Sequence, residues 1–392
     1  MKILQVHNFY QQPGGEDQVF KAEADLLRAC GHDVIQYSLN NKLINDLSKF
    51  QVLKKTFWNN DSYNNINSII QNAHPQICHI HNTYPLISPS VYYACQKNHI
   101  PVVQTLHNYR LLCPAATLIR DGKVCKDCLG KFFPWPGVWH GCYHGSHLHS
   151  SLVAFLLTTN KILGIWSRQI NCFIALTEFA RSKFVQAGLP AEKIIVNPNF
   201  LAPDPGKKIK FGEFALFVGR LSPEKGLWTL INAWREIPEI PLKIIGDGPL
   251  FDELHEKVIS HIKGQVEFLG RLSHDQVLDK MKKARVLIFP SEWYEPFGLS
   301  IIEAYACGLP VIGSRLGSMQ NLILNGKTGL LFEPGNPETL AKNVMGLWNN
   351  EEKIMEMGKA ASYEYEQKYT ADHKYQSLIT IYEKTITEYR TK

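Results

Sequence analysis

The sequence predicts an α/β protein with two doubly wound domains, each built on a parallel sheet covered by helices. Strand-like and helix-like segments alternate along almost the whole chain of 392 residues, a pattern typical of parallel strands joined by crossover helices. A stretch rich in proline and glycine, residues 197–213, separates two such series and predicts an interdomain linker. The chain is also longer than one hydrophobic core usually supports, which agrees with two domains.

The first series predicts a domain over residues 1–199. Buried strands are expected at residues 2–8, 33–39, 75–82, 101–108 and 172–177. After the first strand, Val19, Ala22 and Leu26 recur at helical spacing, and Gly31 is a typical residue for a helix end.

The second series predicts a domain over residues 200–372. Strands are expected at residues 214–221, 242–249, 266–272, 285–291, 310–314 and 329–333. Ligands bind at the carboxyl ends of the strands in such sheets, so two facing domains would form a binding cleft.

Composition and charge exclude several classes of function. The net charge of +6 is modest, and no dense stripe of Lys and Arg with interleaved aromatic residues indicates a nucleic-acid partner. The longest apolar run, residues 152–157, is far shorter than the roughly 20 residues that span a bilayer. The first ten residues resemble a strand and not a signal peptide, so we expect a cytoplasmic protein.

Two cations follow the first strand of the second series. Arg220 ends that strand and Lys225 follows five residues later, between Gly219 and Gly226, which allow a close approach of the backbone. Converging cations of this kind suit a diphosphate that gains charge as it departs. The alternative is a surface loop with two solvated cations.

Two further strands of the second series end in glycine turns. One turn contains Gly246 and Gly248, and the other begins at Gly270 and continues through Leu272. Such turns give room for a nucleotide, but each is a weak signal because a tight turn also needs glycine.

Two glutamates, Glu295 and Glu303, stand eight residues apart at the start of an apolar helix. The first backbone amides of that helix, at Gly298 and Leu299, can hold a phosphate. A carboxylate beside a phosphate would instead accept hydrogen bonds from neutral sugar hydroxyls, and the second glutamate could bind a ribose diol in the same way. The alternative is a capping acid followed by one buried, paired glutamate. A ligand that needs sugar, diphosphate and ribose contacts together is a nucleotide sugar.

The motifs of the second half, taken together, resemble those of a known family. "GRLSPEKG", "GDGP", "FLGRL" and "PSEWYEPFGLSIIEAYACGLPVI" are similar to the family 4 retaining glycosyltransferases, which have the two-domain GT-B fold with two Rossmann-like domains facing a cleft. The resemblance implies that Glu295 contacts the donor sugar, Glu303 the ribose, and Arg220 with Lys225 the diphosphate. It also implies that the last helix, residues 373–392, crosses back onto the first domain. The donor site is then expected to contain Gly14, Gly15, Arg220, Lys225, Gly246, Leu272, Glu295, Phe297, Gly298, Leu299 and Glu303.

In the first half, a glycine turn and a histidine are the candidate site residues. Gly14 and Gly15 stand between the first strand and the first helix, where a phosphate or the transferred sugar can bind, although a tight turn would need the same residues. His107 ends a buried strand, and the resemblance implies that it contacts the donor sugar and belongs to the catalytic set with Glu295, Arg220 and Lys225. Most family members carry an acid after this histidine, whereas this chain has Asn108. His81 also ends a strand and could line the acceptor side.

The activity implied is transfer of a hexosyl unit from a nucleotide sugar to a hydroxyl acceptor, with retention of configuration. The expected acceptor is a glycan or lipid-linked intermediate of surface polysaccharide synthesis. The sequence has no Asp-x-Asp motif, so we expect catalysis without a metal cofactor. The alternatives are a nucleotide-sugar epimerase of the same fold and a non-catalytic nucleotide-sugar-binding protein.

An insertion at about residues 109–150 is rich in cysteine, glycine and proline. The candidate ligands of a structural zinc are Cys113, Cys125, Cys128 and Cys142. His140 and His144 are alternative ligands. The alternative is that these cysteines are reduced and pack as small apolar residues.

An apolar stretch follows the insertion at residues 151–168, with cations at Lys161 and Arg168. It predicts a helix that either belongs to the core of the first domain or contacts the inner face of the membrane peripherally.

Overall fold

The computed structural model describes residues 1–12, 14–207, 212–261 and 265–391, so residues 208–211 of the predicted linker lie outside the described residues. The chain divides into two compact units. Unit 1 contains Met1–Thr117, Lys126–Asn199 and the segment from Lys374 onward, and unit 2 contains Leu118–Cys125 and Phe200–His373. The predicted boundaries lie after residues 199 and 372, and the assignment of Leu118–Cys125 to unit 2 was not anticipated.

The first half of the chain supplies eight strands within the described residues. They are β1 (Lys2–Phe9), β2 (Asp33–Asn40), β3 (Ile77–Asn82), β4 (Val102–Leu106), β5 (Ile119–Arg120), β6 (Lys123–Val124), β7 (Cys172–Ala175) and β8 (Ile194–Val196). Six of them form the sheet of unit 1 in the order β2-β1-β3-β4-β7-β8, and every pairing is parallel. The strands β5 and β6 form a separate antiparallel hairpin. The five predicted strands are all present, whereas β8 and the hairpin were missed because their apolar runs are only two or three residues long.

Helices connect the strands of unit 1, and their apolar faces form its core. They are α1 (Gly15–Ala29), α2 (Lys49–Phe57), α3 (Asn60–Ala73), α4 (Ser90–Lys97), α5 (Trp135–Trp139), α6 (His147–Ile162) and α7 (Glu178–Gln186). Of the residues whose spacing predicted α1, Val19 is buried, whereas Ala22 and Leu26 are half-buried, and Ala24 and Leu27 add to the buried face. Burial of such a stripe stabilises the helix against the sheet.

Unit 2 has a second parallel sheet with the same construction. Its strands are β9 (Ala215–Val218), β10 (Leu242–Ile245), β11 (Val266–Gly270), β12 (Val286–Phe289), β13 (Val311–Ser314) and β14 (Gly329–Phe332), in the order β11-β10-β9-β12-β13-β14. Its helices are α8 (Leu227–Glu236), α9 (Phe251–His261), α10 (His274–Lys283), α11 (Leu299–Ala306), α12 (Met319–Leu322), α13 (Pro337–Trp348) and α14 (Glu351–Lys368). Trp234 is fully buried in its core, and the indole Nε1 donates a hydrogen bond of 2.8 Å to the carbonyl of Ile240.

The last helix, α15 (Ala371–Arg390), returns to unit 1. Leu378, Ile381 and Tyr382 pack in the same core cluster as Ile3 and Leu27. The two parallel six-stranded sheets confirm the predicted fold class. Within the described ranges, none of the helices combines the length and hydropathy that crossing a membrane requires.

Candidate active site

The loops that follow β9 and β10 in unit 2 lie in direct contact. Gly246 has a φ of +143°, and a Cβ atom there would lie 1.8 Å from the carbonyl oxygen of Gly219. A Cβ atom at Gly248 would lie 2.4 Å from the carbonyl oxygen of Leu221. These positions therefore require glycine so that the two loops can pack together.

The same construction brings Lys225 to Glu295. Gly226 has a φ of +69°, and a Cβ atom there would lie 1.9 Å from the carbonyl oxygen of Pro290, so the loop after β9 packs closely on the end of β12. Lys225 Nζ lies 2.5 Å from Glu295 Oε1. Ser291 Oγ donates a second hydrogen bond of 2.6 Å to the same oxygen.

The environment of this pair is strongly asymmetric. The Glu295 side chain is 5% exposed, whereas that of Lys225 is 21% exposed and its ammonium lies 5.4 Å from the centre of the Trp293 ring. Arg220, near the start of the same loop, is exposed. The site thus combines the Glu295 carboxylate, which follows β12, with two cations that follow the neighbouring strand β9. This combination suits a ligand with hydroxyl and phosphate groups.

Glu303 lies on α11 and contacts His274. His274 Nε2 is 3.0 Å from Glu303 Oε1, and this hydrogen bond raises the pKa of His274, although partial burial acts in the opposite direction. Sequence reasoning missed His274. The available signal was the Ser273 capping box, which starts α10 directly after the glycine turn that ends β11.

The remaining donor-site candidates of unit 2 lie around the start of α11. Within the described residues no side chain caps the helix at Gly298, so its first amides, beginning near Leu299, suit an anionic ligand. Phe297 is buried, with its ring centre 6.2 Å from that of Tyr369. Leu272 is half-buried two residues beyond β11.

In unit 1, the predicted glycine turn is held by side chains of the adjacent elements. Gly14 precedes α1, and its amide donates a hydrogen bond of 3.0 Å to Asp17 Oδ2. The other oxygen of Asp17 is 2.7 Å from His7 Nε2 on β1. Gly15 is the first residue of α1 and is exposed. The amide of Gly14 is therefore already used by the protein in this structure.

His107 follows β4 and contacts His81 at the end of β3. His81 Nδ1 is 3.0 Å from His107 Nε2, and the two rings stack with their centres 5.2 Å apart. Burial lowers the pKa of His81 to about 3 and holds that of His107 well below its usual value, and neighbouring histidines add to both shifts. Both imidazoles are therefore neutral near pH 7.

A carboxyl group that sequence reasoning missed lies beside position 108. Asn108 Nδ2 is 3.3 Å from Glu16 Oε2, and Asn82 Nδ2 is 3.0 Å from Glu16 Oε1. Burial raises the pKa of Glu16 to about 8, against the hydrogen bonds that Tyr10 and the two asparagines contribute. Most family members carry an acid at position 108, and this chain has asparagine there. That difference could have pointed to Glu16, because Glu16 in the first turn of α1 brings a carboxyl group next to Asn108.

The four predicted zinc ligands are not in the one cluster of potential metal ligands found among the residues that the structure describes. Among the described residues, the cluster whose ligand atoms lie within 4.8 Å of one another consists of Glu23, His79 and His81. Cys125 belongs to unit 2, whereas Cys113, Cys128 and Cys142 belong to unit 1. The zinc site at these four cysteines stays a prediction.

Two family models match consecutive parts of the chain. The model described as Glycosyltransferase Family 4 matches residues 13–204, and the model described as Glycosyl transferases group 1 matches residues 204–363. A chain with two parallel six-stranded sheets and this pair of matches is a glycosyltransferase of the GT-B fold. It belongs to the family 4 glycosyltransferases, which confirms the resemblance seen in its motifs.

Individual relatives match part of the chain. An uncharacterized glycosyltransferase, MJ1178 of Methanocaldococcus jannaschii, is 35% identical over 181 residues, which are 45% of this chain and 51% of that protein. D-rhamnosyltransferase WbpZ of Pseudomonas aeruginosa is 33% identical over 160 residues, 40% of this chain and 42% of that protein. The matches thus span about half the length, or less, of these two relatives.

A solved structure shows the same fold over the whole chain. The structure of Anabaena Alr3699/HepE in complex with UDP-glucose superposes with a TM-score of 0.67 and 20% sequence identity, and it covers 100% of both chains.

Proposed function

We propose that this glycosyltransferase moves a hexosyl unit from a nucleotide sugar to a hydroxyl acceptor, with retention of configuration and without a metal cofactor. The observation that carries the proposal is the Lys225–Glu295 pair, held at 2.5 Å beside the exposed Arg220. The fold that the chain shares with a protein solved in complex with UDP-glucose supports a nucleotide-sugar donor.

Each side chain of the unit 2 site has a role in this proposal. Arg220 and Lys225 neutralise the diphosphate as it departs, and Glu295 accepts hydrogen bonds from hydroxyls of the donor sugar. Glu303 binds the ribose, and the first amides of α11 bind a phosphate. In unit 1, His107 contacts the donor sugar through its ring.

The proposed reaction is a substitution on the front face of the sugar. The bond between the anomeric carbon and the diphosphate oxygen breaks, and the acceptor oxygen bonds to the same face of that carbon. The proton of the acceptor hydroxyl passes to the departing phosphate oxygen, so no protein base is needed. This scheme follows from the absence of an evident nucleophile among the sequence candidates for the far face of the sugar.

The function is tested by a panel of UDP-, GDP- and ADP-sugars, measured by calorimetric binding and by release of the nucleoside diphosphate. NMR of the anomeric proton in the product distinguishes retention from inversion. Interconversion of the free donor without an acceptor would favour an epimerase. Binding without turnover on any acceptor would favour a non-catalytic binding protein.

We further propose that the acceptor is lipid-linked and that unit 1 contacts the cytoplasmic face of an anionic membrane. Most of the apolar stretch predicted as one helix at residues 151–168 lies in α6, whose inner face is buried as in a core helix; α6 ends at Ile162, and Ile165–Gln169 form a separate turn after Gly164. Its outer face nevertheless exposes Leu148, Phe155 and Ile162, spaced seven residues apart, with exposed fractions of 59–68%. This stripe on one side of the helix matches the form of an interfacial helix.

Neighbouring segments extend the apolar stripe and add positive charge. All residues of α2 are described and none is buried, and the ring of Phe57 at its end lies 5.8 Å from that of Phe155. The Lys161 ammonium of α6 lies 5.5 Å from the ring of the exposed Phe132. The patch therefore combines exposed aromatic rings with cations, which fits the surface of an anionic bilayer.

Vesicle flotation tests the membrane proposal. At low salt, the protein should float with vesicles that contain anionic lipid and remain behind with neutral vesicles. The substitution Phe155→Ser should reduce flotation, whereas the matched control Tyr363→Ser, at an exposed aromatic residue of unit 2, should not. Equal flotation of both variants and the parent, or no flotation with anionic lipid, would contradict the proposal.

A further inference from the structure

The hydrogen bond between His81 and His107 can have either ring as its donor. A contact of 3.0 Å between His81 Nδ1 and His107 Nε2 requires one nitrogen to carry the proton and the other to accept it. Because both imidazoles are neutral, each ring has one N–H and one bare nitrogen. The proton arrangement of His81 therefore decides that of His107.

Glu23 on α1 determines the arrangement at His81. Glu23 Oε1 lies 3.2 Å from His81 Nε2, off the line of an ideal hydrogen bond, and 2.8 Å from His79 Nδ1. Burial alone would raise the pKa of Glu23, but the two neighbouring histidines outweigh it and hold this pKa well below its usual value. The group is thus a carboxylate, which can only accept hydrogen bonds.

A bare Nε2 on His81 would place its lone pair against the carboxylate oxygen, which is repulsive. His81 therefore carries its proton on Nε2 and has a bare Nδ1, which accepts from the Nε2–H of His107. In the part of the chain that the structure describes, Nδ1 of His107 has no hydrogen-bond partner, and the ring is half-buried.

We infer that Glu23 and His81 are positioning residues that fix His107 as a neutral imidazole with a proton on Nε2 and a bare Nδ1. The bare nitrogen can then accept a hydrogen bond from a hydroxyl of the donor sugar. The second part of this inference rests on the proposed function, whereas the tautomer does not.

The C-terminal helix α15 holds the Glu23 carboxylate in place. We call the contacts from Glu23 through His81 to His107 the histidine relay. Lys374 Nζ on α15 lies 3.7 Å from Glu23 Oε2 and donates to the carbonyl of Pro198, and Tyr382 OH lies 2.7 Å from His79 Nδ1. These contacts explain why a helix so late in the chain carries two polar groups into the core of unit 1.

The same contacts argue against a metal ion at Glu23, His79 and His81. Glu23 Oε1 already accepts a hydrogen bond of 3.1 Å from Gln5 Nε2. The Lys374 ammonium beside the other oxygen would repel a cation. The cluster is therefore better suited to fixing protons than to binding metal.

Nitrogen NMR of the full-length protein labelled with ¹⁵N-histidine tests the inference, because it separates bare from protonated ring nitrogens without any substrate. The signals of His107 are identified by their loss in His107→Asn. In the parent protein, Nε2 should be protonated and Nδ1 bare from about pH 6 to pH 8.

Three variants give matched comparisons. His81→Phe removes the acceptor and should move the His107 signals toward a tautomer average. His81→Asn places a carbonyl oxygen where Nδ1 was and should preserve the parent pattern. Tyr382→Phe removes a hydroxyl beside His79 and should also leave His107 unchanged.

A protonated Nδ1 on His107 in the parent, or unchanged His107 signals in His81→Phe, would overturn the inference. The parent spectrum alone decides the first point even if His81→Phe does not fold. If the His107 signals are as predicted but no transferase activity is found, the proposed function is contradicted and the histidine relay is not.

Discussion

Lys225 Nζ lies 2.5 Å from Glu295 Oε1, although the two residues are 70 positions apart in the sequence. The carboxylate is nearly buried and the ammonium remains partly in contact with water. Loss of either partner should therefore have unequal consequences, because a buried charge without its partner is far more costly than a hydrated one.

Lys225→Ala should destabilise unit 2 by about 3 kcal/mol, because it removes the cation from a buried carboxylate that then keeps its hydrogen bond from the Ser291 hydroxyl. Glu295→Gln should cost roughly 1 kcal/mol, because the remaining ammonium can be hydrated. Urea denaturation measures both, with Lys243→Ala in the more exposed pair with Glu267 as a control that should change little. Equal losses for Lys225→Ala and Glu295→Gln would contradict this view of the pair.

Gly246→Ala should destabilise the protein by roughly 1–3 kcal/mol, because the added Cβ atom would meet the carbonyl oxygen of Gly219. It should also weaken binding of a nucleotide sugar, since the loop after β9, which the added Cβ atom would displace, carries both Arg220 and Lys225. The control is Gly346→Ala, in the exposed interior of α13 with open space around it, which should stabilise by about 0.5–1 kcal/mol. Thermal melts and calorimetric titration of both variants decide; a Gly246→Ala protein as stable as the parent would refute the close packing.

The pair of His274 and Glu303 should make stability depend on pH. The pKa of His274 is raised in the folded protein, so its contribution is fully present below the unfolded pKa and is lost as the pH rises through the folded pKa. The parent should therefore lose stability relative to His274→Gln as the pH rises from about 6 to 8. Because the histidine is partly exposed, the effect should be small, and parallel pH profiles for the two proteins would contradict it.

Elemental analysis tests the zinc prediction in protein purified without added metal. About one zinc per chain, lost in Cys128→Ser, would support coordination by the insertion. Zinc-free protein with titratable thiols and unchanged stability in a chelator would leave Cys113, Cys125, Cys128 and Cys142 as packing residues. The first result would support the prediction of a structural zinc, and the second would contradict it.

Local patterns carried much of the fold and of the donor site. The alternation of apolar segments predicted every longer strand of both sheets, because burial of such segments is readable from their own residues. The spacing of Glu295 and Glu303 and the glycine-flanked Arg220 and Lys225 similarly identified the loops that come together in unit 2.

Contacts between distant segments could not be predicted in this way. Neither the pairing of His274 with Glu303 nor the position of Glu16 beside Asn108 has a local pattern, since each depends on how elements pack in three dimensions. The histidine relay from Glu23 through His81 could not be predicted either, because a glutamate on an amphipathic helix is usually solvated. The cysteine spacing suggested zinc, but it could not show that Cys125 would be assigned to unit 2.

We propose that Arg220, Lys225 and Glu295 activate a nucleotide sugar without a metal. The most direct measurement is release of nucleoside diphosphate in excess EDTA, with the preferred donor and an acceptor, by the parent and by Arg220→Ala and Glu295→Gln. The parent should keep its full rate in EDTA, and each variant should lose about 10²- to 10³-fold in kcat/KM while remaining folded. A parent that stops in EDTA and recovers with Mg²⁺, or a Glu295→Gln protein with nearly normal kcat/KM, would contradict the account.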